Sequence, residues 1–333
     1  MTLRVGVLGA GSFGTTIAHV ISRNAPVILW CRGADTADEI NTRHTNDRYL
    51  PGYRIAEAVR ATATLEDAVR ELDVLVLAVP SGGLREVLEK AAAFIRPWVP
   101  IVSLAKGLEP GRHLRMSEVI REVLPHHPAG VLTGPNLAKE IMAGYAAASV
   151  IAFERTEIAR QLQTLFKSGV FRVYTNHDVT GCELGGALKN VVAIATGMGD
   201  GLGVGDNTRS AVITRGLAEL TRLGVALGGE QATFAGLAGM GDLIATCTSP
   251  QSRNRYVGHE LGKGRSIEDI KAEMHQVAEG IKTTRVVMEL SEKLGIDMPI
   301  AREVHGVLYE GRSARDAYRG LTRRDPGAEG DPD

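Results

Sequence analysis

Cysteine is scarce in this chain: 333 residues hold only Cys31, Cys182 and Cys247. An odd number of distant cysteines, with no C-x-x-C pair, argues against a disulfide framework or a cysteine metal site and fits a reducing cytoplasm. Excess charge of either sign is absent too, since 38 basic residues face 39 acidic ones for a formal net charge of -1. Coating a nucleic acid or an acidic membrane by bulk charge is thereby excluded, and any anionic ligand must be met by local basic residues. No run of about 18 apolar residues offers a membrane span. The opening Met1-Thr-Leu-Arg4 leads straight into a strand pattern, without the apolar stretch and small-residue cleavage site of a signal peptide.

What is present is enough apolar sequence for a large interior, and 333 residues suit two domains of about 150 residues each. Leu3 to Leu8 is a short β-branched run bounded by glycine, which predicts a strand buried on both faces. Residues 27–30, 73–79, 101–104, 130–133, 149–153 and 170–174 read likewise, with helical patterns between several of them. Such alternation predicts crossover units and a largely parallel sheet covered by helices.

Beyond about Asn176 the strand-like runs stop. Residues 209–225 carry apolar positions at helical spacing, Ser266-Ile-Glu-Asp269 matches a capping box, residues 280–294 form a helical run stopped by Gly295, and Ser313-Ala-Arg-Asp316 resembles another helix start. The expected organisation is therefore a Rossmann-type α/β dinucleotide-binding domain over residues 1–178 and an all-helical substrate domain over 179–322. The Pro-, Gly- and acid-rich residues 323–333 lack periodicity and are expected to be disordered.

Gly9-Ala10-Gly11-Ser12-Phe13-Gly14 follows the first strand and opens a helical pattern. Gly9 would allow the tight turn, Gly11 the approach of a pyrophosphate, and Gly14 close helix–strand packing, with phosphate held by helix-start N–H groups. The alternative is a strand-to-helix turn without a ligand. About twenty residues on, where an NAD site usually has Asp or Glu, stands Arg32. A cation suits the 2′-phosphate of NADP and favours NADPH, although Arg32 could equally stack on adenine or lie solvated.

Four further segments carry unusual chemistry: Ser103-Leu-Ala-Lys106-Gly107, Gly134-Pro-Asn136-Leu-Ala138-Lys139-Glu140, Gly186-Ala-Leu-Lys189-Asn190 and Ser252-Arg253-Asn254-Arg255. Singly, Lys106 reads as a loop lysine, Asn136 as a helix cap, and Arg253 as part of a solvated cluster. Lys189 is different, because the apolar residues around it predict burial, and a buried lysine needs a partner or a task. Burial makes a lysine ammonium readier to give up its proton, which suits a proton donor to a carbonyl oxygen. Asp242, after a Gly-Met-Gly turn, could orient Lys189 or simply cap a helix. Arg253 has the planar fork that suits phosphate, and Asn254 adds an amide donor. His126-His127, between two prolines and without companion ligands, reads as surface loop, and no metal site is expected.

Taken in order, the glycine loop, Tyr49-Leu-Pro-Gly52, Lys106-Gly-Leu, Gly134-Pro, the run from Gly186 to Asn207, Gly239-Met-Gly-Asp-Leu243, Ser252-Arg-Asn254 and Glu279-Gly280 resemble the bacterial flavin-independent, NAD(P)-dependent glycerol-3-phosphate dehydrogenases over nearly the whole chain. The resemblance implies hydride transfer between a nicotinamide and C2 of sn-glycerol 3-phosphate or dihydroxyacetone phosphate, in a cytoplasmic homodimer supplying phospholipid synthesis. It implies Lys189 as general acid/base. Lys106, Gly134, Asn136, Lys189, Asp242, Ser252, Arg253 and Asn254 match its substrate positions. Gly9, Gly11, Ser12, Phe13, Gly14, Arg32, Tyr49, Lys106, Ala138, Arg253, Val277 and Glu279 match its cofactor positions. Asn136 departs from the pattern, which commonly has Ser or Thr there, but it still offers a side-chain donor and acceptor. The competing readings are another two-domain dehydrogenase of the β-hydroxyacid or 6-phosphogluconate type and, from a different class, a nicotinamide-sensing regulator without turnover.

Overall fold

The computed structural model describes residues 3–274 and 278–322. The expected disorder of 323–333 and the cofactor position Val277 lie outside these residues. The chain divides into two compact units, the first formed by residues 1–109 and 114–179, the second by 110–113 and 180–333. Pro110–His113, read from the sequence as part of the first domain, thus groups with the second unit.

Eight strands build the sheet of unit 1: β1 (Val5–Leu8), β2 (Val27–Trp30), β3 (Val59–Thr62), β4 (Val74–Leu77), β5 (Ile101–Ser103), β6 (Ala129–Thr133), β7 (Ala147–Ala152) and β8 (Phe171–Asn176). Their order is β3-β2-β1-β4-β5-β6-β7-β8. The first six are parallel, in the 3-2-1-4-5-6 order of a dinucleotide-binding sheet. β7 then runs antiparallel to β6, and β8 parallel to β7. Strand β3 is the element the sequence reading lacks. Its four residues include an exposed Arg60, and an edge strand with one wet face gives no continuous apolar run.

The central strands are apolar throughout because both faces are covered. Val5, Val7, Val74 and Val76 enter one core layer with Ile17, Ile40 and Phe166. Their neighbours Leu8, Leu75 and Leu77 enter the other, with Leu84, Leu88 and Ile120. Adjacent strand residues point to opposite faces, so only a sheet packed on both sides uses such a run.

Unit 2 is helical among its described residues. Long helices span Val179–Leu202, Asp206–Ala226 and Glu279–Leu294, the last stopped by Gly295 at φ 65°. Ser266 and Ser313 accept the amide N–H of Asp269 and Asp316 respectively, as helix-starting serines should. The helix Arg253–Gly262 crosses Val179–Leu202 with almost no space between backbones. A Cβ on Gly197 would meet the carbonyl of Arg255 at 2.1 Å, and one on Gly258 the carbonyl of Ile194 at 2.0 Å. Where the two helices meet, Asp200 accepts from Arg209 Nε at 2.8 Å and Arg255 Nε at 2.7 Å. Arg255 is therefore a structural member of its segment.

A buried carboxylate sits at the start of the helix Pro299–Tyr309: Glu219, 4% exposed, accepts the N–H of Ile300 at 2.7 Å and of Ala301 at 3.3 Å. Burial pushes its carboxyl up to about 7; the two N–H donors and Arg222 oppose the rise, and Asp297 adds to it. A carboxyl whose folded value lies above its unfolded one binds its proton more tightly when folded. Its contribution to stability is complete below the unfolded value and is lost as pH rises through about 7. Glu219→Gln, which keeps the shape without the titration, should therefore have a melting temperature that falls less than that of the unmodified protein between about pH 5 and about pH 8. Parallel melting-temperature profiles would refute this.

Candidate active site

In unit 1 the glycine loop joins β1 to the helix Ser12–Ile21. Gly9 has φ 118°, and a Cβ there would meet the carbonyl of Ala78 at 2.7 Å. On Gly14 it would meet the carbonyl of Gly9 at 2.0 Å. On Gly11 it would meet nothing within 4 Å. Closed packing beneath and open space above is the form a pyrophosphate cradle needs, so the residues present fit a dinucleotide. Ser12 donates its hydroxyl to the carbonyl of Tyr49 at 2.8 Å. Phe13 packs against the core. Arg32 lies exposed just beyond the carboxyl end of β2, on the same sheet edge as the loop.

The parallel neighbours β5 and β6 deliver a second group to that edge. Lys106 Nζ donates to the Gly134 carbonyl at 2.9 Å and to Asn136 Oδ1 at 2.7 Å. The Asn136 amide donates in turn to Ser149 Oγ at 3.0 Å, and Ser149 is fully buried on β7. Gly134 has φ 122°, a left-handed turn that places Asn136 back beside the lysine. The asparagine thus joins Lys106 to Ser149 with both ends of its amide, a span that a single hydroxyl at this position would have to cover with one oxygen. Ser149 carries no sequence signal, because it is a small polar residue in an apolar strand. Ala138 begins the helix Ala138–Met142.

In unit 2, Lys189 lies on the helix Val179–Leu202 and is 4% exposed. Its Nζ is 2.8 Å from Asp242 Oδ1 and donates to Thr246 Oγ1. The delivery of Asp242 is local. One turn before Lys189, Gly185 allows the segment Leu237–Gly241 to pass so close that a Cβ would meet the Ala238 carbonyl at 2.7 Å. That segment is a single π-turn, with Gly241 N–H bonded to the Gly236 carbonyl, and it feeds directly into the helix Asp242–Thr248. Asp242 consequently faces the lysine as well as opening a helix. Thr246, four residues on, shares its face and donates to the Asp242 carbonyl at 2.7 Å. The sequence reading missed Thr246; its spacing from Asp242 was the available signal.

Ser252 caps the helix Arg253–Gly262, accepting the N–H of Arg255 at 3.2 Å. Asn254 is buried; it donates to Asn190 Oδ1 at 2.9 Å and accepts the Gly280 N–H at 3.0 Å. Asn190, next to Lys189, is therefore tied to the start of the helix Glu279–Leu294 through Asn254. Arg253 itself is exposed to solvent, yet desolvation of its guanidinium pulls its pKa below the ordinary value, against the charge of Glu279. The structure gathers Lys106, Gly134 and Asn136 in unit 1, and Lys189, Asp242, Asn190 and Asn254 in unit 2.

Residues 4–159 match the N-terminus, and residues 178–319 the C-terminus, of NAD-dependent glycerol-3-phosphate dehydrogenase. The chain is 60% identical over 332 residues to the Sphingopyxis alaskensis glycerol-3-phosphate dehydrogenase for NAD(P)+, covering all of both chains. It is 53% identical to the Mycobacterium avium enzyme of the same name, over 98% of this chain and 96% of that one. The crystal structure of glycerol-3-phosphate dehydrogenase from Coxiella burnetii superposes with a TM-score of 0.92 at 38% identity, covering 97% of this chain and 99% of that one.

Breaking the buried pair in unit 2 from one side should be expensive. Asp242→Asn leaves the Lys189 ammonium buried without its counter-charge and should cost about 3–5 kcal/mol of stability. The double variant Lys189→Met with Asp242→Leu should recover most of that loss. Urea unfolding of the three proteins checks this, and a stable single variant would mean that Asp242 does not compensate the lysine.

Proposed function

The chain belongs to the NAD-dependent glycerol-3-phosphate dehydrogenase family, and from that premise we propose how its residues carry the reaction. It is an NAD(P)-dependent oxidoreductase that interconverts sn-glycerol 3-phosphate and dihydroxyacetone phosphate. The observation that carries the residue assignment is the buried ammonium of Lys189, held by Asp242 and Thr246.

Unit 1 is the dinucleotide-binding unit and unit 2 the substrate unit. Gly9, Gly11, Ser12, Phe13 and Gly14 would hold the pyrophosphate of a bound dinucleotide, and Arg32, Tyr49, Lys106, Ala138, Arg253, Val277 and Glu279 are assigned as further cofactor positions. The bound nicotinamide supplies or accepts the hydride at C2. As the ketone is reduced, negative charge grows on the C2 oxygen, and Lys189 donates its proton there; in the reverse direction it takes the proton back. Asp242 and Thr246 aim the ammonium, so its charge needs no reorganisation when the oxyanion forms. Lys106, aimed by the Gly134 carbonyl and Asn136, is a further cation suited to developing negative charge on a substrate. Arg253 binds the phosphate with its planar fork, aided by Ser252 and by the second amide N–H of Asn254. A phosphate handle distant from the reacting carbon lets binding energy position that carbon. The enzyme works as a cytoplasmic homodimer and supplies glycerol 3-phosphate for phospholipid synthesis.

Lys189→Met keeps the length of the side chain and removes its proton and charge. Turnover of dihydroxyacetone phosphate should drop by at least about a hundredfold, in a folded protein that still binds NADPH. Near-normal turnover, measured with cofactor affinity and melting temperature on one preparation, would pass the role to Lys106. Cofactor choice is assigned to Arg32, which pairs with the 2′-phosphate and favours NADPH. Arg32→Ala should weaken NADPH far more than NADH in fluorescence titrations, and equal losses would leave Arg32 without a part in selectivity.

A further inference from the structure

Asn46 is fully buried beneath the glycine loop, in the segment that follows the helix Ala34–Arg43. Its side-chain amide donates to the Ala10 carbonyl at 2.9 Å and to Thr15 Oγ1 at 2.9 Å. Since a carbonyl can only accept, the NH₂ end of the amide must be the one that faces Ala10. The same short segment binds the far side of the loop, where Ser12 donates to the Tyr49 carbonyl at 2.8 Å. It is itself closed by Asn46, whose backbone carbonyl accepts the N–H of Tyr49 at 3.1 Å and of Leu50 at 2.7 Å. Anchors on Ala10, Ser12 and Thr15 therefore bracket Gly11.

The consequence follows from the planarity of one peptide bond. The unit between Ala10 and Gly11 is trans, so its carbonyl and its N–H point in opposite directions. Drawing the Ala10 carbonyl inward onto Asn46 turns the Gly11 N–H outward, to the side where a Cβ on Gly11 would meet nothing within 4 Å. Released from Asn46, that carbonyl could rotate outward, presenting an acceptor oxygen where an anion must sit and withdrawing a donor.

We propose that Asn46 is a positioning residue for dinucleotide binding: it fixes the Ala10–Gly11 peptide so that the loop offers N–H, and not C=O, to the pyrophosphate. The proposal rests on the reading of the glycine loop as the cofactor cradle. Its effect belongs to the pyrophosphate shared by both cofactors and is blind to the 2′-phosphate, in contrast to Arg32.

The test measures dissociation constants for NADH, NADPH, ADP-ribose and adenosine with Asn46→Leu, which keeps the approximate volume and removes both donors. NADH, NADPH and ADP-ribose should weaken together by about tenfold or more, as expected for one lost buried hydrogen bond and one misdirected dipole. Adenosine, which carries no phosphate, should bind as before, and the KM for dihydroxyacetone phosphate at saturating cofactor should stay unchanged. A merely structural role would lower the melting temperature and leave this ligand pattern flat; that result, or an equal loss for adenosine, would overturn the proposal. Should Asn46→Leu not fold, Thr15→Val removes the second anchor of the same amide and should weaken the three pyrophosphate ligands alike by about two- to threefold, an unchanged set again overturning it. Gly11→Val tests the underlying reading separately. Retained NADH binding there would remove the loop from the cofactor site altogether, whereas lost binding there with intact binding in the Asn46 variant would sink the proposal alone.

Discussion

The structure of unit 2 depends on a charge held where water does not reach. The Lys189 ammonium is 4% exposed and Asp242, its counter-ion at 2.8 Å, is 2% exposed. Burying either alone would cost several kcal/mol, and burying both is tolerable only with close geometry and further hydrogen bonds such as the one from Lys189 to Thr246. A pair of apolar residues would pack there at less cost. The proposed role of Lys189 gives the pair a use, because a proton donor already surrounded by fixed partners would meet a developing oxyanion without rearranging.

Close backbone approach makes that geometry possible. A helix can bring a lysine to a fixed place, but the matching carboxylate must arrive on a separate element within hydrogen-bond distance. Gly185 removes the side chain that would hold the π-turn away, and the tight turn ends with Asp242 at the first position of its helix. Gly197 and Gly258 do the same at the next crossing, which carries the start of the helix Arg253–Gly262 toward the helix of Lys189. The glycines of this region thus act by what they leave out.

Unit 1 uses the opposite device, a sheet whose strand ends are fixed by packing on both faces and whose loops carry the polar groups. The adjacency of β5 and β6 brings Lys106 to Gly134, and the reversal at β7 brings Ser149 beneath Asn136. Asn136 is accommodated because its amide has both an acceptor for the lysine and a donor for the serine, two bonds in one rigid plane.

The alternation of short apolar runs and helical patterns, the glycine loop, and the solitary lysine in an apolar helix were determined by the sequence alone. Each is a local matter: strand period, turn sterics, and the cost of burying charge act on neighbouring residues and leave their trace in order along the chain. Arg60 hid β3, because an edge strand with one wet face shows neither a continuous apolar run nor a long alternation. Ser149 and Asn46 were unreadable, being ordinary polar residues whose partners lie 13 and 36 positions away, and the spacing of Thr246 from Asp242 gave no hint of Lys189, 57 positions away. Asn254, read as a donor to phosphate, proved to spend most of its amide on Asn190 and Gly280. Which polar groups meet across such separations depends on how elements pack, and side-chain hydrogen bonds acquire their direction only after the backbone has been placed by burial.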